Sequence, residues 1–165
     1  MSILYGLSVW LHAVAATSWV GSMIFFAAVV VPVLRREDLR SVAPRLIRDF
    51  GARFRVLAWA SLALLGLTGI ANLALRGIGL DTLCQAVFWS TSFGRTLGWK
   101  LGFVGITVAV TAAHELSTRA AAREGTVSAA DAARARRIAS WIGRGILLAS
   151  LCILFFAVAL VRGFL

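Results

Sequence analysis

Charge is scarce in this chain, and acid scarcest of all. Asp, Glu, Lys and Arg make up 15% of its 165 residues, and only seven of these are acidic against 17 basic. A water-soluble domain carries roughly 25% charged and 45–50% apolar residues. Here 60% are hydrophobic, which excludes an ordinary soluble fold, and disorder and collagen-like repeats with it. Cysteine is short as well. Cys84 and Cys152 form no CxxC pair and no disulfide framework, so a small stapled scaffold is excluded and redox compartment is not encoded. Catalytic signatures are missing: there is no GxSxG, no HExxH and no phosphate-binding loop. Within the long apolar runs the one carboxylate is Glu115, at the boundary of its run, whereas a proton or solute transporter would carry one well inside a span.

What is present is four apolar runs, at about 3–34, 54–75, 96–117 and 138–164. Each exceeds the ~20 residues that cross the hydrocarbon core of a bilayer as a helix. The ten-residue alternation of a membrane barrel does not occur. The expected architecture is therefore all-α, a single integral membrane four-helix bundle over residues 1–165. The first run is too long for a signal peptide and has no basic segment before it, so it reads as a retained span.

Arginine placement gives the topology. Seven arginines lie in the connection 35–55 and five in 119–137, against only Arg76 and Arg95 between the second and third runs. The net charge of +10 is thus a topological signal and not the basic face of a nucleic-acid binder. Both arginine-rich connections are expected in the cytoplasm of a bacterial-type cytoplasmic membrane, with both termini outside. The outer connection, Leu80 to Phe93, is apolar enough to lie at headgroup level as an interfacial helix. Pro32 is expected to end or bend the first helix. Gly98, Gly102 and Gly105 are expected to let another helix approach span three, and Gly66 and Gly69 to do so for span two.

Polar residues inside the spans mark candidate sites. At 100° per residue, His12, Trp19 and Met23 share one face of span one. Ser61, Thr68 and Asn72 share a face of span two, and Lys100, Thr107, Thr111 and His114 a face of span three. Span four contributes Arg144 and Cys152. Counting depth gives an outer cluster of His12, Lys100, Cys152, Asn72 and Thr68, and an inner one of His114, Met23, Arg144 and Trp141. The two histidines are separated by roughly 14 Å in depth, too far to be the two axial ligands of one haem. The bland alternatives are an interhelical hydrogen bond at His12 and a lysine snorkelling to the interface at Lys100.

These residues also carry a resemblance. Leu11-His12, Trp19-Val20-Gly21 and Pro32 resemble the first span of the copper-resistance protein D (CopD) domain. Arg53-Phe54 and Leu67-Thr68-Gly69 resemble its second, and Gly94-Arg95-Thr96-Leu97 with Lys100-Leu101 its third. A span-one histidine and a span-three lysine are shared with HemJ-type protoporphyrinogen oxidases. That likeness implies b-type haem, with His12 as iron ligand and Lys100 matching the lysine. The chain departs from both families: Met23 is its only internal methionine, and Ala113-His114 stands where a tyrosine-histidine pair is typical.

The expected function is that of a CopD-type membrane protein with a redox-active centre. Haem b on His12 is favoured, with Lys100, Trp19, Thr68, Asn72 and Arg144 around the cofactor and a redox partner protein on the outer face. The alternatives are copper handling, with His12, His114, Met23 and Cys152 as the available ligands, and a scaffold subunit without cofactor.

Overall fold

The structure, a computed structural model, describes residues 3–123 and 129–162. Helices account for nearly all of them, and no strand occurs among the described residues. The order is α1 (Ile3–Phe25), a π-helical turn (Phe26–Val30), α2 (Val31–Leu34), a 3-10 turn (Glu37–Leu39), α3 (Ala43–Ala74), two short helices α4 (Leu80–Leu83) and α5 (Ala86–Ser90), then α6 (Ser92–Arg123) and α7 (Ala129–Arg162). Four stretches are long and apolar enough to cross a membrane: Ile3–Leu34, Ala43–Ala74, Ser92–Ser117 and Arg137–Arg162. In lipid a helix satisfies its own backbone groups, which is why uninterrupted apolar sequence takes this form.

The first stretch has the expected bounds. The others run on into the arginine-rich connections, because charge ends hydrophobicity without ending helix formation. Thus α3 starts at Ala43, with Pro44 in its first turn where a missing N–H is harmless. The connection 119–137 is helical up to Arg123 and from Ala129. Residues 124–128, and 163–164 of the fourth run, lie outside the described residues.

Two compact units divide the chain, Met1–Cys84 and Gln85–Leu165. In unit 1, α1 and α3 pack antiparallel, in a register read from three contacts. Arg76 Nε donates to the Tyr5 hydroxyl at 2.8 Å, His12 meets Thr68, and the rings of Phe26 and Phe54 lie 5.5 Å apart. Ser8, Ala15, Trp19 and Met23 of α1 and Ala58, Ser61 and Thr68 of α3 are buried. Large apolar side chains such as Trp10, Leu67 and Ile70 are exposed. Small hydroxyls inside and bulky apolar groups outside invert the pattern of a soluble protein, as a lipid surround demands. The π turn precedes Pro32, with Val31 N–H bonding the Phe26 carbonyl. The wider turn accommodates the proline without ending the helix there. At the other end α3 closes in a turn with Gly77 at φ +76, where Ile78 N–H reaches back to the Leu73 carbonyl.

In unit 2, α6 and α7 pack antiparallel with Phe103 stacked on Phe156 at 5.8 Å. The connection leading into α6 is helical here: α5 folds onto the start of α6. Thr91 hinges the corner, its hydroxyl donating to the Phe88 carbonyl at 2.6 Å and accepting from Gly94 N–H at 3.0 Å. Gly94 is needed, since a Cβ there would run into the Phe88 carbonyl. The expected glycine face of span three is corrected accordingly. Gly98 is covered by the Trp89 ring of the connection, and a Cβ at Gly102 or Gly105 would meet nothing within 4 Å. On α3, a Cβ added at Gly69 would meet the His12 ring at 3.7 Å, while one at Gly66 would meet nothing within 4 Å.

Candidate functional site

Polar chemistry in unit 1 gathers one to two turns below the Tyr5–Arg76 contact. His12 Nδ1 and Thr68 Oγ1 are 2.7 Å apart. Thr68 Oγ1 is also 2.6 Å from the carbonyl of Leu64, one turn back on α3. A carbonyl cannot donate, so the single hydroxyl proton goes to Leu64, and Thr68 accepts from His12. The imidazole therefore carries its proton on Nδ1, which puts the basic lone pair on Nε2. Ordinary threonine back-bonding, seen also at Thr96, Thr111 and Ser150, here sets a tautomer.

Around this pair, the Ser8 hydroxyl points at the Thr68 carbonyl at 3.5 Å, the outer limit of a hydrogen bond. Asn72 stands one turn beyond Thr68 on the same face of α3, and its Oδ1 is buried with no hydrogen-bond partner among the described residues. An unmet acceptor in an apolar surround is costly, so this corner suits a ligand or water that brings an N–H or O–H. Along α1 from His12, Ala15, Trp19, Val20 and Met23 follow as buried side chains.

The remaining expected residues belong to unit 2. Lys100 is half-buried on α6. Cys152 is a free thiol in a shallow apolar groove with Phe103 and Phe156. His114 is half-buried, and its carbonyl accepts from Ser117 at 2.9 Å. The Arg144 guanidinium lies 5.1 Å from the ring of Trp141, a cation–π contact within one helix. Thr107 Oγ1 is buried with no partner among the described residues, a position that the polar stripe of α6 singled out. No three His, Cys, Asp or Glu side chains come together among the described residues.

Known proteins add one relative. The chain is 32% identical over 111 residues to an uncharacterized protein of Aquifex aeolicus (strain VF5), covering 67% of each. The chain belongs to the family of that protein. No family model matches it, and no solved structure does either.

Proposed function

We propose that this multi-pass chain is a CopD-like protein of a bacterial-type cytoplasmic membrane that holds a b-type haem through His12. It would act in electron transfer or haem-linked redox chemistry, with a redox partner protein on the outer face. By the positive-inside rule, segments 35–55 and 119–137 face the cytoplasm and both termini lie outside.

The observation that carries this reading is the chain from His12 through Thr68 to Leu64. A haem-ligating histidine uses one ring nitrogen for iron, and a hydrogen bond from the other fixes the ring and raises its basicity. Thr68 supplies that second bond, so the residues fit the group. Haem needs one or two strong ligands and an apolar surround, and the buried side chains of α1 beside His12 meet the second demand. When bound, the group supplies reversible one-electron chemistry. The chain's own part is to hold the imidazole in one tautomer. A copper(I) site would ask for more soft donors than unit 1 gathers around His12.

The test is the visible spectrum of the purified chain in mild detergent, oxidised and dithionite-reduced, beside His12→Ala. Sharp reduced α and Soret bands that vanish or shift in the variant support the proposal. A colourless protein expressed with excess haem overturns it, and copper content per chain then separates copper handling from a cofactor-free scaffold.

A further inference from the structure

The two helices of unit 1 carry charge very differently. No charged residue occurs from Ile3 to Leu34, whereas α3 bears Arg45, Arg48, Arg53 and Arg55 in its first turns. The Phe26–Phe54 contact puts Arg53 beside a level of the first span nine residues, or roughly 13 Å, short of its first charge at Arg35. At that depth the first span shows Phe25 and Val29 on its surface. Guanidiniums so placed need an anion, because a cation at apolar depth is held only by a counter-charge or by snorkelling to one.

In this segment Arg36 pairs with Asp38, at 3.1 Å. Arg45, Arg48 and Arg53 are exposed and make no ion pair among the described residues, although Asp49 lies in the same arc of the helix. At 100° per residue these three arginines occupy one side of α3, and Ile47, Phe50 and Phe54 the other. Phe54 is half-buried against Phe26, but Ile47 and Phe50 stay 46% and 45% exposed.

We propose that the first three turns of α3 form a binding site for the phosphate headgroups of anionic phospholipids. Arg45, Arg48 and Arg53 take the phosphates, and Ile47 and Phe50 enter the acyl boundary. The planar guanidinium matches phosphate in a two-pronged geometry. A free phosphate would make no use of the two apolar side chains, whereas the acyl chains of a lipid would cover them. This assignment is independent of any cofactor at His12.

The test titrates the full chain in non-ionic detergent with phosphatidylglycerol, with phosphatidylcholine of the same acyl chains, and with inorganic phosphate. Bound lipid is counted by native mass spectrometry. Phosphatidylglycerol should be retained at least about tenfold over phosphatidylcholine, less so at high salt. R45Q/R48Q/R53Q should lose most of that preference, at about fivefold per arginine, and R45K/R48K/R53K should keep part of it. Equal retention of the two lipids overturns the proposal, as does an unchanged preference in a glutamine variant of native helicity. Displacement of phosphatidylglycerol by millimolar phosphate overturns the assignment to lipid. If the triple variant loses helicity, the three single glutamine variants carry the test, each expected to lower retention about fivefold.

Discussion

Thr68 accepts the Nδ1 proton of His12 at 2.7 Å while giving its own proton to Leu64 at 2.6 Å. The direction of both bonds is decided by the carbonyl at the end of the chain, and three groups on two helices then behave as one.

Thr68→Val keeps the shape of the side chain and removes the acceptor. The imaging of that change is the ring itself: nitrogen-15 shifts of His12 should move from a single Nδ1–H tautomer to a mixture, while Thr68→Ser should retain the wild-type signature. Leaving a part-buried N–H unmet should lower stability by about 1–3 kcal/mol, read from thermal unfolding in detergent. Identical nitrogen shifts in wild type and Thr68→Val would mean that Thr68 does not govern the tautomer.

At the corner between α5 and α6, Gly94→Ala drives a methyl group into the Phe88 carbonyl. Overpacking of this kind costs about 1–3 kcal/mol, so the melting temperature should fall. Gly102→Ala, where a Cβ meets nothing within 4 Å, should be neutral or stabilising by about 0.5–1 kcal/mol. The contrast between two glycines on one helix is the measurement, and equal melting temperatures would sink it.

The Tyr5–Arg76 contact combines a hydrogen bond of 2.8 Å with a ring-to-guanidinium distance of 5.6 Å. Because both groups are near solvent, a double-mutant cycle of Tyr5→Phe and Arg76→Gln should return a coupling of no more than about 1 kcal/mol. A larger coupling would show that this end of the helix pair is more shielded than its exposure indicates.

Much of the fold was legible because bilayer thickness sets so coarse a ruler: four apolar runs became four long helices, with Ile3–Leu34 as expected. The starts of α3 and α6 were not, since Arg45, Arg48 and Arg95 stop an apolar run and not a helix. For the site, periodicity put His12 on one stripe and Thr68 on another. Counting depth then placed both in one cluster with Asn72, but it could not give the hydrogen bond between them, because the register between two apolar helices is set by side-chain packing such as Phe26 on Phe54. The glycines of span three misled for a related reason. Spacing shows where a close approach is possible, but it was Trp89 of the short connection that made it at Gly98.

The π turn at Phe26–Val30 also acts as a vernier on the first span. Five residues in a turn wider than 3.6 fall behind an α-helix by roughly one residue's rotation. Everything from Val31 onward is therefore turned by that amount relative to a continuous α-helix, and in that setting Leu34 is 7% exposed and Val33 44%. The span holds about one residue more than its height requires, and it is taken up immediately before Pro32.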